Sequence, residues 1–398
     1  MIYDCIVVGG GISGITFAHC LKKKGIRVMI TEKEDVFGGQ ISTFCPQGND
    51  GFWLETGAHT CYNSYIRLLA MAAETGAAEH IVPIHSYGYK LLKNNEIRSL
   101  TSAISYLPLL TNCFKIAGAD KHGKTTREYY SPIVGKINYD NVFRYAFRAV
   151  ISQDADDYPA EIFLKKRKTR DKSRQRNFTF ERGLSGFLKT VVWSNGLEIR
   201  CKTEIKRISK DGDVFVLTDA GGVQLRTKNI AMATDPQTAA SLLKRVESDV
   251  AGVFSTVGVV RSESVGVVVP ANMLNVKKMS GLIPQSDELL SVVSRDVIPD
   301  KAFRGFTFHF SDEQKSETEQ FDLICKVLHI KRSDIQAWTT TKHRLPALRR
   351  EHIDMANRSL PLRKDAHIFL TGNYFYGLSL EDCVIRAERE ASAFFAAN

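Results

Sequence analysis

The chain has 398 residues, more than the roughly 250–300 at which a single core stops growing, so two intertwined domains are expected. Its 43% hydrophobic and 25% charged residues are ordinary for a soluble globular enzyme, and no run approaches the roughly 18 apolar residues of a membrane helix. The net charge of +10 suggests an anionic partner. Nucleic acid is disfavoured, because aromatics are not interleaved with the densest basic stretch as base stacking requires.

The start, "MIYDCIVVGGG", runs straight into a strand and a glycine turn and carries no signal-peptide pattern, so a cytoplasmic location is expected. The cysteines Cys5, Cys20, Cys45, Cys61, Cys113, Cys201, Cys325 and Cys383 are scattered, with no C-x-x-C pair and no metal-ligand spacing. Reduced buried thiols are expected, without disulfide or metal.

Tyr3 to Val8 is a short run rich in β-branched residues, the mark of a strand buried on both faces of a parallel sheet. "GGGISG" follows, then a helical pattern ending at Gly25 and a second strand, "IRVMITEKE". Gly9, Gly11 and Gly14 fit G-x-G-x-x-G in that setting: a tight turn, a close approach for a diphosphate, and close packing of helix on strand. The helix start offers free N–H groups to phosphates. Glu32 ends the second strand, where a carboxylate accepts hydrogen bonds from ribose hydroxyls. A dinucleotide site follows from this register.

The next stretch decides which dinucleotide. "VFGGQIST" contains a second glycine turn at Gly38 and Gly39, and "FWLETGAHT" follows. Here the chain resembles the FAD-containing amine oxidase, protoporphyrinogen oxidase and phytoene desaturase superfamily, which carries a paired glycine, usually followed by Arg, and then a Gly-Ala-His-like segment beside the flavin. The resemblance implies non-covalent FAD with Gly57 and Ala58 near its ring and His59 in reach of the reacting centre. Gln40 stands where the Arg is expected and brings no charge.

Residues 81–190 show apolar positions at helical spacing, as in "YDNVFRYAFRAVI", and read as a helical lobe. The lobe carries the basic run "KKRKTRDKSRQR", Lys165 to Arg176, read as a solvated loop that can also steer an acidic substrate or touch an anionic membrane face. "LEIRCKTEIKRISKDGDVFVLTDAGGVQLRTKNIAMATDP" reads as strand, hairpin and strand, and by resemblance rejoins the FAD domain, with Ile205 against the adenine. Residues 249–349 turn to alternating strands, with one helix announced by the capping box Ser316-x-x-Glu319.

The closing segment, "IFLTGNYFYGLSLEDCVIRAEREASAFF", resembles the C-terminal FAD motif of the protoporphyrinogen oxidase-like branch. The resemblance assigns Gly372, Asn373, Gly377 and Leu380 to the cofactor and puts Tyr374 and Tyr376 with His59 among the residues facing substrate. It implies an α/β fold: a discontinuous Rossmann-like FAD domain (residues 1–80, 191–248 and 350–398) with an α+β substrate domain, a helical lobe (81–190) and a mixed β-rich part (249–349). The expected activity is hydride transfer from a C–C or C–N unit of a small organic substrate to FAD, with dioxygen or another acceptor reoxidising it. A tetrapyrrole or secondary metabolite, and so an anionic substrate, fits; an amine, or a non-redox rearrangement as in UDP-galactopyranose mutase, is the alternative. Peripheral contact with the inner membrane face and the oligomeric state stay open.

Overall fold

The computed structural model describes residues 1–48, 51–116, 118–311 and 315–397; the side chain of Cys113, and with it the thiol expectation there, lies outside the described residues. Three distant stretches of chain build one sheet. Its strands run in the order Glu198–Arg200, Val28–Thr31, Ile2–Val8, Gln224–Met232, Val214–Asp219, Ile205–Asp211. The first half of Gln224–Met232 pairs antiparallel with the hairpin strand Val214–Asp219, and its second half pairs parallel with Ile368–Leu370. The parallel strands need cover on both faces, which is why Cys5, Ile6 and Val7 are fully buried.

One face is covered by the helix Ile12–Lys22 and the closing helix Leu380–Ala397. Phe17 of the first helix meets Phe369 of the closing strand at 5.8 Å and Phe394 of the closing helix at 6.4 Å between ring centroids. A buried charge pair ties strand to helix: Arg386 Nη2 donates to the Leu370 carbonyl at 2.7 Å and to Glu390 Oε1 at 2.7 Å, while Leu370 N donates to Glu390 Oε2 at 2.9 Å. Each buried polar group thus meets a partner.

A second sheet runs in the order Ala337–Ala347, Gly258–Pro270, Phe303–Ser311, Leu289–Ser294, Gly281–Pro284, Tyr89–Lys93, Glu96–Ser99. Its last two strands come from the stretch expected to be helical. They form a hairpin whose turn residues, Asn94 and Asn95, take positive φ of 52° and 63°, the conformation that two-residue hairpins demand and that Asn tolerates. Tyr89–Lys93 then pairs parallel with Gly281–Pro284, so long-range pairing overrides the local helical spacing. The rest of that stretch holds the helices Thr126–Val134 and Arg144–Ile151 around Tyr130, Phe147 and Phe163. The Ser316 capping box forms, with Ser316 N donating to Glu319 Oε2 at 2.8 Å. Among the described residues, no helix is long and apolar enough to cross a membrane.

Candidate active site

Between the two sheets and the lobe lies a cleft of about 1550 Å³. That exceeds the roughly 300–1,000 Å³ of sites for drug-sized ligands and leaves room for a dinucleotide beside a substrate. The glycine turn forms its floor. Gly9 has φ of 113°, and a Cβ there would sit 2.6 Å from the Ala233 carbonyl oxygen. Gly14 lies behind the floor, where a Cβ would be 2.0 Å from the Gly9 oxygen, so it holds helix against strand and does not line the cleft. Gly11 lines the cleft and opens the helix Ile12–Lys22, whose first N–H groups carry no side-chain cap.

Glu32 is buried and lines the cleft, with Oε2 accepting from Gly10 N at 2.8 Å and Oε1 from Glu34 N at 3.0 Å. Those bonds fix the carboxylate while leaving each oxygen a lone pair for a ribose hydroxyl. Gly38, Gly39, Gln40, Gly57, Ala58 and Ile205 also line the cleft. From the closing segment, Gly372, Asn373 and Leu380 do, whereas Gly377, with φ of 124°, forms the turn before the closing helix.

Gln40 joins the two sides. Its Nε2 donates to the Arg344 carbonyl at 3.1 Å and its Oε1 lies 3.0 Å from His343 Nδ1, while His343 Nε2 donates to the Thr56 carbonyl at 2.7 Å. His59 is half-buried and its Nδ1 lies 2.9 Å from Thr60 Oγ1. Burial pushes its imidazole down to about 4. His309, 2.7 Å from Ser264 Oγ, is pushed down to about 3, mainly by burial and further by His59 and His343. Burial lowers His343 as well. The imidazoles of His59 and His309, held neutral near pH 7, thus stand in the cleft wall beside His343, and the sequence reading noticed only His59. Alternation along the strands hides His309 and His343; only the pairing of Phe303–Ser311 and Ala337–Ala347 with Gly258–Pro270 brings them together.

Two expectations change. Tyr374 and Tyr376 do not line the cleft. Tyr374 is 1% exposed and packs on Phe254 at 5.2 Å, and the Tyr376 hydroxyl accepts from Arg389 at 2.8 Å. The Gly372 turn, with φ of 151°, lays the Tyr374 ring beneath itself, so a Cβ on Gly372 would meet that ring at 2.6 Å. The basic run is not simply a solvated loop either. Lys165 Nζ and Arg167 Nη2 lie 3.1 and 3.0 Å from Asp382 Oδ1 in the first turn of the closing helix, and Lys165 also donates to the Tyr376 carbonyl. The exposed Arg170 and Arg176 line the cleft and make no ion pair among the described residues.

Cys383 lines the cleft too, but burial pushes its thiol up to about 12, which keeps it protonated and a poor nucleophile. The residues present fit FAD: a diphosphate-sized glycine floor, a fixed carboxylate beyond it, and the uncapped start of the helix Ile12–Lys22.

Residues 7–75 match the family model of the NAD(P)-binding Rossmann-like domain. The chain is 31% identical over 112 residues to protoporphyrinogen oxidase 1 of spinach (Spinacia oleracea), covering 27% of this chain and 19% of that protein. It is 36% identical over 74 residues to the flavin-containing amine oxidase of Oncorhynchus mykiss, covering 19% of this chain and 14% of that one. Both matches therefore span under a fifth of the relative. Over the whole length, the crystal structure of a protein named as a protoporphyrinogen oxidase, from Exiguobacterium sp. 255-15, superposes with a TM-score of 0.78 at 16% identity, covering 99% of each chain. The chain has the fold of the flavin-dependent amine oxidases and protoporphyrinogen oxidases. The three-part sheet and the closing helix form one side of the cleft, and the second sheet forms its opposite wall.

Proposed function

We propose that the protein is an FAD-dependent oxidoreductase of the protoporphyrinogen oxidase-like kind, oxidising a C–C or C–N unit of a small anionic substrate. When bound, FAD supplies a hydride acceptor that dioxygen or another oxidant can regenerate. The observation that carries the reading is the sharing of one cleft by the Gly9–Gly11 turn, the Gly38–Gln40 turn and the closing segment. Backbone N–H groups at the start of Ile12–Lys22 would hold the diphosphate and Glu32 the ribose, and the dipole of the closing helix would favour negative charge on the ring. Cys383, held as a thiol, supports non-covalent attachment.

The protein's own residues also narrow the substrate. Ser262, Ser291, His309, Thr341 and His343 line the wall of the second sheet, so it offers neutral hydrogen-bonding groups. Arg170, Arg176, Lys189 and Lys342 line the cleft without an ion pair among the described residues. Positive charge there attracts a carboxylate and repels an ammonium, which favours a tetrapyrrole propionate or an acidic metabolite over an amine. His59, neutral near pH 7, serves best as a hydrogen-bond partner for substrate. The exposed Leu107, Phe114 and Ile116, at 60–71% exposure, support peripheral contact with a membrane surface.

The test is direct. Purified protein should carry flavin absorbance, lose it under anaerobic photoreduction and regain it in air. Protoporphyrinogen should then yield porphyrin fluorescence faster than its spontaneous oxidation, and R170Q/R176Q should raise KM more than it lowers kcat. A chain that takes up no flavin ends the proposal.

A further inference from the structure

A diphosphate carries negative charge, and the two glycine turns offer it only backbone N–H groups and the neutral Gln40 amide. Of the basic side chains lining the cleft, Lys33 lies 3.3 Å from Glu34 Oε1, Lys165 and Arg167 are held by Asp382, and Arg170, Arg176, Lys189 and Lys342 are the charges assigned above to the substrate. Arg344 is placed differently. Its carbonyl accepts from Gln40 Nε2, which sets it against the Gly38–Gln40 turn. Its guanidinium reaches toward Asp235, two residues beyond Ala233, and Ala233 packs on Gly9 so closely that a Cβ there would clash. Arg344 thus meets the second glycine turn through its carbonyl and extends its guanidinium toward Asp235, just beyond the strand end that packs on the first.

That guanidinium is loosely held. Arg344 Nη2 is 3.4 Å from Asp235 Oδ1, long against the roughly 2.7–2.9 Å of a charge-assisted bond. Arg344 Nε is buried and has no hydrogen-bond partner among the described residues. Asp235 is already engaged in capping the helix Pro236–Leu243, accepting from Thr238 N at 3.2 Å and Thr238 Oγ1 at 2.6 Å. A buried donor without a partner is costly, and a planar guanidinium fork matches phosphate geometry.

We propose that Arg344 is the cationic contact for the diphosphate of the bound dinucleotide, supplying from the second sheet the charge that Gln40 lacks. The inference rests on the FAD reading above. It also gives Gln40 a task, because its amide fixes the backbone from which Arg344 extends.

The experiment measures FAD affinity by quenching of flavin fluorescence, at low and high salt, for the wild type, R344Q, R344K and the double variant Q40R/R344Q, with thermal melting to confirm folding. R344Q should bind FAD roughly tenfold to a hundredfold more weakly and lose most of the salt dependence. R344K should lie between, and the double variant should recover most of the affinity by returning the charge from the neighbouring turn. An R344Q protein that is folded and binds FAD within about twofold of wild type, with the same response to salt, overturns the proposal. If R344Q does not fold, the wild-type response decides, and salt-independent affinity overturns the proposal. A wild-type chain that binds no FAD at any salt removes the cofactor reading itself, a separable failure.

Discussion

Glu55 sits outside the cleft lining yet controls how stability depends on pH. It is 5% exposed, and it accepts from Leu184 N at 2.6 Å at the start of the helix Gly183–Ser194 and from Thr43 Oγ1 at 2.7 Å. Burial outweighs both bonds and pushes its carboxyl up from 4.5 to about 8. Between those values the folded chain keeps a proton that the unfolded chain has lost, so this group's stabilising contribution is complete below 4.5 and fades as pH rises through 8. His59 and His309 act in the opposite sense. Their depressed values mean stability that is present above 6.5 and is lost as pH falls toward 4 and 3. Of these three groups, the two imidazoles outweigh the carboxyl between 4.5 and 6.5, and Glu55 acts above 6.5. Melting temperature should therefore peak near pH 6.5, and E55Q, which keeps an acceptor oxygen, should flatten the alkaline side and steepen the rise between 4.5 and 6.5. Parallel profiles for E55Q and wild type would refute this. At this scale the sequence spoke clearly through its glycines, whose geometry is local. It was silent on Arg344, His309 and His343, whose neighbours come from strand pairing across hundreds of residues.

Among the elements, the loop carrying the basic run is fastened at its start by Asp382 and further along by Asn63, whose carbonyl accepts from Asp171 N at 2.8 Å and whose N donates to the Arg176 carbonyl at 2.9 Å. Asp382, with a 7% exposed side chain, holds Lys165 and Arg167, and Arg167 Nη2 also reaches Ser379 Oγ at 3.0 Å. D382N should release the start of the loop, and limited trypsin digestion should then cut among residues 166–170 several-fold faster than in wild type while circular dichroism stays unchanged. Equal cutting would show that the loop is held elsewhere. Charge patterning alone describes such a run as solvated, because the carboxylate that claims it lies at the far end of the chain. The Ser316 capping box was legible because its bonds close within three residues. The hairpin at Asn94–Asn95 was overlooked because the apolar spacing around it fits a helix until the sheet supplies a partner.

For the whole molecule, the cleft draws walls from both sheets, so a bound dinucleotide would fasten them together. At a hundredfold excess over its dissociation constant a ligand that binds only the folded chain adds about 2.7 kcal/mol. Saturating FAD should therefore raise the melting temperature and keep unfolding a single transition, whereas an unchanged midpoint in calorimetry would contradict a site built from both sheets. That the first glycine turn and the closing segment meet at one cleft was readable from the order of strand, glycine turn and helix at one end and the closing motif at the other. How the strands between them pair was not.

The central pairing of the first sheet sets a timetable for synthesis. Ile2 finds its partner in Arg226, and Ile230 waits further for Ile368. A nascent chain leaving the ribosome must carry its sticky, largely apolar first strand until Gln224–Met232 has emerged and the matching edge exists. Such late closure makes the growing polypeptide a natural client of chaperones and its recombinant yield sensitive to translation speed.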